Sequence, residues 1–212
     1  MAREIELKVP LTEEQYTQIE KIITKKEVLS SINTHSLSHI IKTDEYFSRY
    51  HTHEERKKNK ELRVIRIRSE KIIPIVPSGI DMYGDESEND EKSFFCIKRK
   101  TIENGVEFNT EKETFVEDAE VLRAFFEAAD YIKWFEKKKD SFSVFCTHSE
   151  NPEFEAHLEL EKVNDLPYIE IEYTKDDFSA DEVRANLEKI LVTLGLDPKK
   201  RDSRSWPEII NA

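Results

Sequence analysis

The sequence predicts an α+β fold, an eight-stranded antiparallel β-barrel with helices packed outside. Three observations point there. Charged and apolar residues alternate with period 2 in stretch after stretch, the mark of strands with one face of each kind. Short turn-like segments link most of these stretches, which favours antiparallel pairing. Three amphipathic stretches, near 12–28, 118–130 and 180–194, supply helices able to cover an outer surface.

Residues 3–9 alternate charged and apolar throughout and read as the first strand, which Pro10 ends. Thr12, followed by Glu13 and Glu14, opens a helix reaching about Val28. A polar loop follows, with Ser30, Ser31, Asn33, Thr34 and Ser36. A strand is expected around His39–Phe47, a charged turn over 51–60, and another alternating strand over 61–69. Residues 70–92 contain two prolines, two glycines and the acidic run at 85–91, and read as a long loop or mobile insertion. Strands resume at 93–101 and 106–116 around an Asn104-Gly105 turn. Val121, Leu122, Phe125 and Phe126 mark the helix at 118–130. Strands at 132–147, 154–163 and 167–174 follow, the last two joined through Asn164-Asp165. Ser179 or Asp181 caps a helix that runs to Leu194, where Gly195 stops it. A short helix is expected at 207–210. The 212 residues read as one domain.

Composition excludes several classes. Lys and Arg total 33 against 45 Asp and Glu, a net charge of −12, which argues against nucleic-acid binding through a basic face. No apolar run approaches the ~20 residues of a membrane helix, and no signal peptide is visible, so the chain is expected in the cytoplasm and off the membrane. Two cysteines, Cys96 and Cys146, make no disulfide framework and read as buried thiols. Four glycines leave no phosphate-binding loop, and Ser203 and Ser205 lack a nucleophile-elbow setting. His51 and His53 read as a solvated pair, and the other histidines show no ligand spacing.

The charges repeat at i, i+2, and their signs are segregated by strand. Glu4 and Glu6 share a face, as do Glu111 and Glu113, Glu159 and Glu161, and Glu170 and Glu172. Arg66 and Arg68 form a basic pair, and Lys98 and Lys100 another. An ordinary half-exposed sheet fits the alternation alone. Sign segregation and the amphipathic helices favour a barrel with charges inside and apolar faces outside. A lumen of that kind is costly unless it is wet and binds ions. Basic rows suit phosphate oxygens, and acidic rows suit Mg²⁺ or Mn²⁺.

These motifs resemble those of the CYTH superfamily, the triphosphate tunnel metalloenzymes. Glu4-Ile5-Glu6-Leu7-Lys8 is similar to the family's N-terminal ExExK signature. Arg66-Ile67-Arg68 resembles its RxR strand, and Phe95-Cys96-Ile97-Lys98 its strand ending in a phosphate-contacting lysine. Glu111-Lys112-Glu113, Glu159-Leu160-Glu161 and Glu170-Ile171-Glu172 resemble its later acidic strands, and Ser203-Arg204-Ser205-Trp206 its C-terminal serine-aromatic motif. The resemblance implies a tunnel open at both ends, with Lys8, Arg66, Arg68, Lys98 and Lys100 on the triphosphate. It implies Glu4, Glu6, Glu170 and Glu172 as main metal carboxylates, with Glu111, Glu113 and Glu161 contributing directly or through water. Glu6, Lys8 and Glu113 are the candidate catalytic residues. Three positions depart from the family pattern: Glu161 stands where Asp is common, Lys139 where Arg is common, and Asn109 where a basic residue is common. Lys137 and Lys139 read equally as tunnel contacts or as part of a solvated run.

The implied function is metal-dependent hydrolysis of a triphosphate: tripolyphosphate, ATP or thiamine triphosphate. Two alternatives stay open, a class IV-like adenylyl cyclase and a non-catalytic polyphosphate- or nucleotide-binding module. Many family members form homodimers.

Overall fold

The computed structural model describes residues 4–61, 63–75, 91–103 and 106–211. Eight strands close into one antiparallel barrel: β1 (Glu4–Pro10), β2 (Ile32–Ser48), β3 (Arg63–Ile73), β4 (Lys92–Glu103), β5 (Val106–Val116), β6 (Ile132–His148), β7 (Asn151–Val163) and β8 (Leu166–Tyr173). Their order around the barrel is β1-β5-β4-β3-β2-β6-β7-β8, with β8 pairing back onto β1. Closure leaves no sheet edge to be protected. The helices are α1 (Glu13–Ile23), α2 (His53–Lys58), α3 (Ala119–Ala128), α4 (Ala180–Thr193) and α5 (Trp206–Ile210), with a 3₁₀ turn at Pro198–Lys200. None is long and apolar enough to cross a membrane.

The apolar faces look outward, as the alternation predicts. Ile5, Leu7 and Val9 of β1, Leu158 and Leu160 of β7, and Ile169 and Ile171 of β8 form one core with Tyr16, Ile19 and Ile23 of α1 and Val183, Leu187, Ile190 and Leu191 of α4. Burying each such Leu or Ile contributes roughly 1.5–3 kcal/mol. On another side, Phe126 of α3 stacks on Phe47 at 4.7 Å between centroids and packs with Ile67. Trp206 and Ile209 of α5 pack with Val163 and Tyr168.

Several element boundaries differ from expectation. α1 stops at Ile23 rather than near Val28, because the chain reverses through Lys25 at φ 59° and Val28 is 91% exposed. A longer helix would have buried nothing there. The polar stretch is strand from Ile32 onward, because β6 is as long as β2 and pairs as far as Ile32↔His148 across an irregularity between His35 and Ser38. The charged turn at 51–60 contains α2, opened by a Thr52 capping box and anchored by buried Arg56, which pairs with Glu61 at 2.5 Å. β3 runs on to Ile73 through its pairing with His39–Ile41, and β4 starts at Lys92, so the expected 70–92 insertion shrinks at both ends. Residues 76–90 and the Asn104-Gly105 turn lie outside the described residues. β7 begins at Asn151, three residues early. Ser179, not Asp181, caps α4, and Gly195 ends it at φ 81° with Leu196 N donating to Leu191 O.

Candidate active site

The charged faces line the barrel lumen. Ion pairs that skip an intervening strand show this directly, since they can form only across the concave side. Lys98 of β4 sits 3.5 Å from Glu4 and 3.6 Å from Glu6 of β1, with β5 between them. Arg66 of β3 reaches Glu111 (3.0 Å) and Glu113 (3.5 Å) of β5 across β4. Lys139 of β6 reaches Glu170 of β8 at 2.7 Å across β7.

Three groups of acidic ligands converge. Glu4, Glu6 and Glu172 place carboxylate oxygens within 4.8 Å of one another, as do Glu159, Glu161 and Glu170. Cys96, Glu111 and Glu113 form the third group, in which the Cys96 thiol donates to Glu111 at 2.8 Å. Among and between these groups stand the cations. Lys139 lies 2.6 Å from Glu161 and 2.7 Å from Glu170. Lys8 donates to the Arg204 carbonyl at 2.8 Å and lies over the Trp206 ring, which Lys137 and Lys139 also face. Trp206 Nε1 donates to Glu170 at 3.1 Å, so the C-terminal motif and α5 close in on this part of the lumen.

Protonation in the lumen is far from ordinary. Burial, against the pull of Lys98, pushes Glu4 up to about 10, and neighbouring Glu172 and Glu6 add to the rise. Burial, then Glu170, push Glu161 up to about 8 against Lys139. Burial and the adjacent Lys139 lower Lys137 to about 7. In the other direction, and against burial, Lys98 and Arg66 hold Glu111 at about 2, and Lys42 and Lys139 hold Glu159 at about 2. Arg68, Arg66 and Lys137 likewise hold buried Asp44 well below the usual range.

A pH dependence follows. From pH 4.5 to 7 the unfolded chain has released protons that folded Glu4 and Glu161 keep, so their stabilising contribution shrinks as pH rises. Below pH 4.5 the unfolded chain takes up protons that folded Glu111 and Glu159 refuse, so stability also shrinks as pH falls towards 2. Metal-free protein is therefore expected to be most stable near pH 4.5–5. Urea melts across pH 3 to 8 check this; a maximum above pH 7 would contradict it.

Every candidate read from the sequence is placed on the lumen face of its strand. Glu4, Glu6, Lys8, Arg66, Arg68, Lys98, Glu111, Glu113, Lys137, Lys139, Glu161, Glu170 and Glu172 join the connected network, and Lys100 lies two residues beyond Lys98, half-buried. Strand alternation settles the lysine run: Lys137 and Lys139 are buried and Lys138 is exposed. Asn109, where the family pattern has a basic residue, is buried and donates to Glu6 at 3.2 Å. His53 stacks on Trp134 and is half-buried, so His51 and His53 are not a solvated pair.

Among the described lumen residues that sequence reasoning missed, four stand out. Asp44 of β2 is fully buried and binds Arg68 through two hydrogen bonds of 2.6 and 3.0 Å. Lys42, on the same face, pairs with Glu159. Tyr46 continues that face. His157 of β7 bridges Ser143 and Glu172. A signal existed in Lys42-Thr43-Asp44-Glu45-Tyr46, where period 2 places Lys42, Asp44 and Tyr46 together.

No family model matches the chain, and no curated protein sequence matches it. Solved structures do. A protein from Pyrococcus horikoshii aligns over 98% of both chains at 18% identity with a TM-score of 0.66. A candidate adenylate cyclase from Vibrio parahaemolyticus aligns over 99% of this chain and 98% of its own at 15% identity, TM-score 0.62. A candidate adenylyl cyclase from Hippeastrum, described as having a dominant triphosphatase activity, aligns over 92% of this chain and 89% of its own at 15% identity, TM-score 0.53. At these identities the likeness is one of fold.

Proposed function

We propose that this chain is a divalent-metal-dependent phosphohydrolase that cleaves a triphosphate held in the barrel lumen. The observation that carries this reading is that both signs of charge are clustered in one buried space. Lys137 and Lys139 are ammonium groups side by side, with Arg66 and Arg68 nearby, and a polyanion relieves their mutual repulsion. Glu4, Glu6 and Glu172 are carboxylates gathered in one buried place, where burial first and crowding second keep a proton on Glu4, and a divalent cation relieves both. A metal–polyphosphate complex satisfies both at once.

The residues fit such a group. All-oxygen carboxylate sets suit Mg²⁺ or Mn²⁺, with Glu4, Glu6 and Glu172 as one seat and Glu161 and Glu170 in a second. When bound, the ion neutralises phosphate charge and acidifies a coordinated water. Arg66 and Arg68 offer forked donors to the phosphate oxygens, while Lys8, Lys98, Lys137 and Lys139 act as point charges along the lumen and Lys100 extends the row. Phosphoryl transfer asks mainly for alignment and charge stabilisation, which these rows supply. Glu113 and Glu6 are the candidate proton acceptors. Burial raises Glu113 above its ordinary value, against Arg66 and Arg68, which brings it nearer to the operating pH of a general base. Water needs only these groups, whereas cyclisation of ATP needs a nucleoside clamp in addition.

The test is turnover. Purified protein with Mg²⁺ or Mn²⁺ is expected to release orthophosphate from tripolyphosphate, ATP or thiamine triphosphate, and EDTA is expected to stop it. Cyclic AMP with pyrophosphate from ATP would replace this reading with the cyclase. Tight binding with no turnover of any of the three would reduce it to a binding module.

A further inference from the structure

Three adjacent strands carry a hydrogen-bonded row of which the proposed chemistry uses only Glu172. His157 of β7 has one ring nitrogen on each neighbour: Nε2 is 2.7 Å from Ser143 Oγ of β6, and Nδ1 is 2.8 Å from Glu172 Oε1 of β8. His157 and Glu172 are direct cross-strand partners in the β7–β8 register. An ionised carboxylate only accepts, so Nδ1 carries a proton and donates to Glu172. At Nε2 the ring hydrogen-bonds the Ser143 hydroxyl, which accepts from a charged ring and donates to a neutral one. The Phe145 ring packs against the imidazole at 5.2 Å between centroids. The row continues inward, because Glu172 places a carboxylate oxygen within 4.8 Å of those of Glu4 and Glu6.

We infer that His157 is a positioning residue for Glu172, with Ser143 fixing the imidazole, so that the carboxylate is held towards Glu4 and Glu6. The roles are the reverse of those in a nucleophilic serine–histidine–acid row: the serine is the anchor and the carboxylate is what the row delivers. A long carboxylate side chain on a strand has several rotamers, and one charged hydrogen bond to its oxygen removes most of that freedom. Ligand carboxylates and imidazoles are commonly held by such outer partners, whose loss costs roughly 10–100-fold in metal affinity. The inference rests on the metal seat proposed above.

The test measures Mn²⁺ binding to the purified protein by calorimetry, with the fold followed by circular dichroism. His157→Ala is expected to weaken Mn²⁺ binding by roughly 10–100-fold. His157→Asn places an amide donor where Nδ1 stands and is expected to restore affinity close to the wild type. His157→Gln places its donor where Nε2 stands and is expected to resemble alanine. Ordering Asn above Gln therefore decides the matter even if the alanine variant fails to fold. Equal affinity in Asn and Gln variants, or wild-type affinity in the alanine variant, overturns the inference. Glu172→Gln separates the two levels. If that variant binds Mn²⁺ as the wild type does, the metal seat itself is wrong; if it loses Mn²⁺ while His157→Ala does not, only the positioning role falls.

Discussion

The double variant Glu4→Gln with Glu6→Gln is expected to lose triphosphate turnover by about a thousandfold or more, equal to about 4 kcal/mol of transition-state stabilisation. The two residues share the lumen face of β1 and supply two of the three carboxylates in their cluster. Glutamine keeps their shape and removes the charge that a divalent ion requires. Stability is expected to move the other way. At neutral pH folded Glu4 holds a proton that the unfolded chain would release, a cost that Gln does not carry. Lys98 keeps Glu111 at 3.5 Å as a partner, so the substitutions orphan no cation. The melting temperature of the double variant at pH 7.5 is thus expected to match or exceed that of the wild type. Orthophosphate release at saturating tripolyphosphate, read beside a thermal melt, checks both directions. Activity within tenfold of wild type would remove this cluster from the chemistry, and a fall in both quantities would point to damage of the fold instead.

The sequence made some of this lumen visible and concealed the rest for physical reasons. Glu4 and Glu6, Arg66 and Arg68, and Glu170 and Glu172 were legible because like charges repeat two residues apart around an isoleucine, Ile5, Ile67 or Ile171, on the other face. Asp44 was hidden by company of both signs. Its lumen neighbours on β2 are Lys42 and Tyr46, and Glu45 points the other way, towards Arg123 and Lys133. A strand that mixes signs on one face looks solvated until the register sets Asp44 opposite both Arg68 and Lys137. Lys137 and Lys139 were ambiguous because an unbroken run of lysines carries no period. His157 was illegible for another reason: its meaning depends on Ser143 and Glu172, which lie on two other strands. Outer faces and helix positions followed from local pattern, whereas pairings across the lumen are tertiary facts that only barrel closure creates.

Asp44 gives the second large effect. It is fully buried, bonded twice by Arg68, with Arg66 at 3.6 Å and Lys137 at 3.4 Å. Asp44→Asn keeps the shape and leaves three buried cations without that counter-charge. Removing one partner of a buried ionic network costs about 3–5 kcal/mol. For a domain of ordinary stability, about 5–15 kcal/mol, this is a large share, and the urea midpoint is expected to fall by about 1–2 M. Arg68→Ala is expected to destabilise for the mirror-image reason, by leaving Asp44 to Arg66 and Lys137 alone. The two variants part company when tripolyphosphate is added. In the Asn variant a phosphate group is the natural replacement for the missing carboxylate, so metal-free tripolyphosphate should bind more tightly than to wild type and raise the melting temperature by more, as linkage requires of a ligand specific to the folded state. In the Arg68→Ala variant a forked phosphate donor has gone, so binding should weaken. Opposite signs in binding with the same sign in stability separate a lumen cation that faces the ligand from one that only holds the barrel together. Should tripolyphosphate raise the melting temperature of Asp44→Asn no more than that of wild type, Arg66, Arg68 and Lys137 would serve the barrel alone.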